Sequence, residues 1–343
     1  MKLRSKKVWS FLITIFSMLS LEAQENSAFA SFIYHRFGDN RYPSTNIKID
    51  QFKAQLEYLK SNQYQVVTLS EAYQQLKTNR LTSKTVVLTI DDGYQSFYQN
   101  ALPLLERYGF KATLFINTVT VGATDYMSWT EIKDARERGI EIGNHSHEHP
   151  FFLSSQTDFR SDLYASHSNF EQYLGSIPKV YAYPYGEWNT DMHATLKSEG
   201  YMAAAAQNSG IISTYANPYA LPRFPMSETY ADINSFIQKI NMLPLAVRTK
   251  EVHTKGYLGS KERPRLVLTF QEDDLQLEYL QCFIQGSACN KSIQVKKDQK
   301  VELVVKPKSP LQRRRTLITI TVQDNSGQWY WYSYSYVQPY IQP

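Results

Sequence analysis

Two adjacent carboxylates, Asp91 and Asp92, and two histidines four residues apart, His145 and His149, are the residues whose types and spacing most readily do chemistry. An oxygen from Asp92 and an imidazole nitrogen from each histidine would give a divalent cation three ligands. That leaves a fourth position for water, the arrangement of a catalytic zinc site and not of a closed structural one. Neighbouring side chains diverge, so Asp91 can face the attacking water as general base while a nearby dication keeps its proton off. His147, between the two histidines, is expected to point elsewhere if the loop is turn-like. Taken alone, each segment also has a plainer reading: DDG at 91–93 as an ordinary turn after a strand, HSHEHP at 145–150 as a solvated turn.

These residues lie where apolar runs end. His35 follows FIY, Asp91 follows VVLTI, HSHEHP follows IEIGN, and YPYG at 183–186 follows VYA. In α/β folds the loops at the carboxyl ends of strands converge on one face, so segments far apart in sequence can meet there. Strands are expected at 32–35, 85–90, 112–117, 140–144, 180–184 and 202–206, with amphipathic helical stretches between them, several stopped by glycine. Repeated strand-then-helix units over about 31–245 imply a parallel α/β sheet or barrel. After about residue 250 the runs RLVLTF, KVELVVKP, TLITITVQD and QWYWYSYSYV read as strands of a small C-terminal β-sandwich over 250–343, with a hairpin at Asn325–Gly327. Alternate burial in that sandwich explains the WYWYSYSY run at 329–336. The basic triplet Arg313–Arg315 reads as a solvated turn, and Cys282 and Cys289 are spaced to staple one local loop.

TIDDG at 89–93, HSHEHP at 145–150 and YPYG at 183–186 resemble, in order, the three leading motifs of the polysaccharide deacetylases, carbohydrate esterase family 4 with the NodB homology domain. The resemblance spans roughly 31–245. It implies a distorted, incomplete (β/α) barrel, a divalent metal that is usually zinc, and hydrolysis of an N-acetyl group from a sugar polymer. By that resemblance Asp92, His145 and His149 hold the metal, Asp91 is the base, and the backbone N–H of Tyr185 helps form the oxyanion hole. Two departures follow. The family's third motif begins with Arg where this chain has Ala182, so the guanidinium that tethers the base must come from elsewhere, with Arg223 in ALPRFP the substitute. The family's late motif with a catalytic-acid histidine is not found after residue 210. IYHRF at 33–37 is similar to the N-terminal segment of the poly-β-1,6-N-acetylglucosamine deacetylases, a branch with permuted motif order, which makes His35 the acid. Trp129, Trp188 and the many tyrosines are candidate sugar platforms along an open groove, Trp188 the best placed of them.

The 343 residues suit one large domain with a smaller companion, and the composition, 42% hydrophobic and 20% charged, is that of a globular core. The cationic segment KLRSKK and the apolar run at 8–21 form a signal-peptide pattern, cut after Ala23 or Ala30, with an uncleaved membrane anchor as the alternative. Either way the body is exported, to the periplasm or beyond. Cutting after Ala23 leaves 33 basic and 31 acidic residues, too even a balance to argue for nucleic acid. The expected function is metal-dependent removal of N-acetyl groups from an N-acetylglucosamine polysaccharide, an exopolysaccharide before chitin or peptidoglycan. The alternatives are an O-acetyl esterase and a non-catalytic glycan-binding protein that retains the fold.

Overall fold

The computed structural model describes residues 27–227, 229–251, 257–259 and 264–342. The expected leader at 1–23 lies outside the described residues, and among those described no helix is long and apolar enough to cross a membrane. From the N-terminus the elements run β1 (Ala28–Tyr34), β2 (Arg36–Phe37), β3 (Asn46–Ile47), α1 (Ile49–Ser61), β4 (Gln65–Val67), α2 (Leu69–Lys77), β5 (Thr85–Ile90), α3 (Leu102–Tyr108), β6 (Thr113–Ile116) and α4 (Trp129–Glu137). They continue with β7 (Glu141–Asn144), α5 (Phe159–Leu174), β8 (Val180–Ala182), α6 (Thr190–Ser198), β9 (Ala203–Ala205), β10 (Ile211–Ser213), β11 (Phe224–Pro225) and α7 (Ile233–Ile240).

β1 and β4 to β11 form one nine-stranded sheet whose main path is β10-β1-β5-β6-β7-β8-β9, parallel except at β10. The sheet curls into an incomplete barrel. An irregular segment crosses the seam between β9 and β1, where Leu221 bridges Ala205 and β11 pairs with β1 at Phe32 and Ile33. Central strands such as β5, TVVLTI, are buried at every position because helices cover one face and the barrel interior the other. Helix starts are set locally: Thr68 with Glu71 and Ser128 with Glu131 form capping boxes for α2 and α4, and Asp158 caps α5. Gly109 and Gly175 take left-handed conformations just past α3 and α5, as terminating glycines do.

The period of two along each strand decides what faces the interior. Val86, Leu88 and Ile90 of β5 join the core beneath the helices, whereas Val87 packs inside the barrel with Phe29, Phe115 and Ala182. Thr89 and Asp91 continue the parity of Val87. The same alternation sends Asn144 out to Ser166 and Tyr201 and leaves Gly143 and His145 inside. Gly143 is required there, because a Cβ would stand 2.4 Å from the Phe115 ring.

The C-terminal elements are β12 (Leu243–Pro244), β13 (Thr249–Glu251), β14 (Leu266–Gln271), β15 (Gln281–Ile284), β16 (Cys289–Val295), β17 (Lys300–Pro307), β18 (Arg315–Gln323) and β19 (Trp329–Val337). They make two four-stranded sheets, β12-β19-β18-β15 and β13-β14-β17-β16, packed on a shared core that includes Leu268, Leu303, Ile320 and Tyr334. The Cys282–Cys289 disulfide joins β15 of one sheet to β16 of the other. The chain enters this part earlier than the expected boundary at 245: Leu243 and Pro244 already pair with Tyr330 and Trp331. In β19 the tyrosines at 330, 332, 334 and 336 pack on the sandwich core, while Trp329 and Trp331 pack against the barrel-side core. The run is therefore aromatic because both of its faces are covered.

Gly143→Ala tests this packing at the strand that carries His145. Overpacking against Phe115 should destabilise the protein by about 1–3 kcal/mol, read as a lowered urea midpoint. An unchanged midpoint would contradict the close approach.

Candidate metal centre and catalytic site

Asp91 ends β5 with its N–H bonded to the carbonyl of Tyr34, and its carboxylate has no exposed surface. Asp92 and Gly93 then adopt left-handed backbones, φ 76° and 73°, which turn Asp92 away from Asp91 and towards the open side. Glycine is needed at 93, since a Cβ would lie 2.7 Å from the Ile116 side chain.

The histidine loop is anchored from below. Asp162, in the first turn of α5, accepts hydrogen bonds from the N–H groups of His147 and Glu148 at 2.7 and 2.8 Å, and Ser146 Oγ accepts from His149 N–H. With Ser146 and His149 both at positive φ, the loop reverses tightly. The His147 ring is thereby sent to Thr118, Nδ1 to Oγ1 2.8 Å, while His145 and His149 converge.

Asp92 Oδ1, His145 Nε2 and His149 Nε2 form a triangle with sides of 3.1, 3.4 and 3.5 Å. Ligand bonds of about 2.0–2.1 Å at tetrahedral angles put donor atoms roughly 3.3 Å apart, so this triangle has the size of one face of a zinc coordination sphere. His145 Nδ1 lies 2.7 Å from the carbonyl of Ala182, which can only accept. In the neutral ring the proton therefore sits on Nδ1 and leaves the Nε2 lone pair for a metal; burial opposes ionisation of this histidine, but Asp91 and then Asp92 raise it above its ordinary value. Burial first, then neighbouring His145, pushes His149 down to about 4, so it is neutral and able to ligate at pH 7.

Arg223 fixes Asp91. Its guanidinium donates twice to the carboxylate, at 2.7 and 2.9 Å, and also to Thr89 Oγ1 and the carbonyl of Ala206. Neither side chain is exposed. Burial alone would favour the protonated acid, but Arg223 and then His145 outweigh it and hold Asp91 below the usual carboxylate range.

A cleft of about 900 Å³ opens over these groups, and His35, Asp92, His149 and Tyr185 line it. His35 is half-buried and close enough to act electrostatically on both aspartates. Tyr185 sits in a left-handed turn, φ 57°, with its ring stacked on Phe151 at 3.5 Å and edge-on to His149 at 4.7 Å.

The structure thus brings together all seven residues singled out in the sequence: His35, Asp91, Asp92, His145, His149, Tyr185 and Arg223. Two expectations are corrected. Trp129 stacks on Tyr173 at 4.7 Å in helix packing, and Trp188 stacks on His193 and lines a separate cavity of about 220 Å³. The aromatic rings along the cleft, besides Tyr185, are Tyr94, Tyr126, Phe224, Tyr230 and Trp331. Nor is the triplet Arg313–Arg315 a solvated turn: Arg313 is exposed, but Arg314 is buried against Glu187, and Arg315 is half-buried on the cleft wall. Sequence reasoning also missed Asp162; its only signal is a carboxylate in the first turn of a predicted helix.

A curled, mostly parallel sheet with carboxylates and imidazoles gathered at the carboxyl ends of its strands is the incomplete-barrel architecture of the NodB type. Residues 78–204 match the family model described as polysaccharide deacetylase. YxkH of Bacillus subtilis (strain 168) is 29% identical over 198 residues, 57% of this chain and 70% of that protein. The poly-beta-1,6-N-acetyl-D-glucosamine N-deacetylase of Staphylococcus aureus (strain MSSA476) is 26% identical over 236 residues, 61% of this chain and 81% of that protein. Among solved structures, the deacetylase PplD of Streptococcus pyogenes has the same fold, with TM-score 0.58 and 23% identity, over 63% of this chain and 99% of that one. Over residues 78–204 the chain thus matches the polysaccharide deacetylase family, and over about three fifths of its length it is similar to proteins named as deacetylases.

Breaking the Arg223–Asp91 pair leaves a buried, unpaired carboxylate. Arg223→Met should cost about 3–5 kcal/mol in denaturant unfolding at neutral pH. A loss below about 1 kcal/mol would mean that Asp91 is not held as described.

Proposed function

We propose that this protein removes N-acetyl groups from a polysaccharide containing N-acetylglucosamine, with a divalent cation held by Asp92, His145 and His149. The observation that carries this reading is the donor triangle set beside a buried, ionised Asp91 at the floor of an open cleft. One carboxylate and two imidazoles suit zinc. Such a cation would polarise the acetyl carbonyl and raise the acidity of water.

Asp91 takes the proton of the attacking water, since Arg223 keeps its carboxylate ionised and oriented. The backbone N–H of Tyr185 donates to the oxygen that becomes negative in the tetrahedral intermediate, an interaction typically contributing about 3 kcal/mol. His35 then protonates the departing nitrogen, and the products are acetate and a free amine. An alkoxide leaves more readily than an amine anion, so an ester would depend on His35 less than an amide does. The S. aureus relative named for a β-1,6-linked polymer, together with the IYHRF segment carrying His35, favours an exopolysaccharide substrate. We place the protein outside the cytoplasm on the leader pattern at 1–23.

The test is acetate release from β-1,6- and β-1,4-linked N-acetylglucosamine oligomers, with chelator and with zinc restored. Chelator should abolish release and zinc restore it, while Asp91→Asn and His35→Ala should each lower kcat by about 100- to 10,000-fold. Wild-type rates in either variant would remove its assigned role. Release from O-acetylated oligosaccharides alone would make the protein an esterase.

A further inference from the structure

The cleft wall opposite the barrel is built by the C-terminal sheet: Arg315 and Leu317 of β18 and Trp331 and Ser335 of β19 share the cavity with His35 and Asp92. Two consecutive arginines there grip the loop that carries Tyr185. Arg314 donates to both carboxylate oxygens of Glu187, at 2.7 and 2.8 Å, in a pair almost without exposed surface. Its Nη1 donates to the carbonyls of Pro339 and Ile341. The same guanidinium lies 4.6 Å from the centre of the Phe151 ring, which stacks on Tyr185, which in turn meets His149 edge-on. Arg315 bridges the carbonyl of Tyr185 and Gln207 Oε1, the latter at 2.8 Å.

The loop needs such a hold. Tyr185 is left-handed, a conformation disfavoured for any residue with a Cβ. Gly186 is also left-handed and so close to Gln207 that a Cβ would stand 2.7 Å from its backbone nitrogen. A charge-assisted hydrogen bond to the Tyr185 carbonyl favours this peptide orientation over its alternatives. Because the loop at 183–187 touches the metal ligand His149 through the Tyr185 ring, its orientation is transmitted to the reacting centre.

We propose that Arg315 is a positioning residue for the oxyanion-binding backbone of Tyr185, and that the C-terminal sheet is thereby a working wall of the substrate cleft. This rests on the deacetylase reading above for its kinetic consequence, but not for its structural one.

The experiment uses the full chain with Arg315→Met and Arg315→Lys. It measures kcat and KM for acetate release, and amide hydrogen exchange over 183–187 in metal-free protein. Arg315→Met should lower kcat by about 10- to 100-fold with KM changed less than about 3-fold, since the lost geometry serves the transition state. Exchange at Gly186 and Glu187, whose N–H groups bond the carbonyls of Tyr183 and Pro184 within the turn, should quicken while the barrel strands exchange as in the wild type. Arg315→Lys, which keeps a donor on the wall, should recover part of both effects, and it serves alone if the Met variant does not fold. Wild-type kcat, or unchanged exchange in the loop, would overturn the proposal. The exchange measurement needs no substrate. A wild type that releases no acetate therefore overturns the functional reading and leaves this inference to be decided by the loop.

Discussion

A carboxylate with no exposed surface survives as an anion only if a full positive charge meets it with matched geometry. Asp91 depends on that constraint, and Arg223 meets it with two parallel hydrogen bonds across the barrel seam. The pair does more than balance charge. Arg223 also bonds Thr89 and the Ala206 carbonyl, so the irregular segment after β9 is pinned to β5 at the point where the sheet fails to close. The seam is thus both the place where the barrel fails to close and the source of the group that keeps Asp91 ionised beside Asp92, His145 and His149.

Much of this arrangement was legible in the sequence because strand parity is local. Once TVVLTI is a strand, Val87, Thr89 and Asp91 share a face, and the same reasoning places His35 and His145 at the ends of their own strands. The role of Arg223 came from a different kind of argument: the family resemblance requires a guanidinium near the base, and Ala182 cannot supply it. What stayed hidden depended on contacts between distant residues. The spacing of His145, His147 and His149 does not say which ring turns away; Asp162, reached through the fold, decides it. The arginines at 314 and 315 sit in a basic triplet flanked by polar residues, which reads as solvated until Glu187, 127 positions away, is brought against them. β16 carries apolar residues only at Cys289, Ile293 and Val295, with Lys291 interrupting their face, so its alternation is too sparse to mark a strand.

The two halves of the chain are therefore coupled at the site. β19 shows how: its even positions fill the sandwich core, its odd positions face the barrel, and Trp331 donates its indole N–H to the carbonyl of Ser209. An edge that served only as an attachment would not need aromatic residues on both faces. The family match at 78–204 falls within the barrel, so the C-terminal wall is a feature of this chain's own architecture beyond that match.

The central claim is that three side chains from two strand ends hold one cation next to the base. Titration of the metal-free protein with zinc, followed by calorimetry, tests it most directly. The account predicts one equivalent bound tightly by the wild type and by Asp91→Asn, and none with comparable affinity by a variant carrying Asp92→Ala, His145→Ala and His149→Ala. Equal binding by that triple variant, or no stoichiometric binding by the wild type, would contradict it.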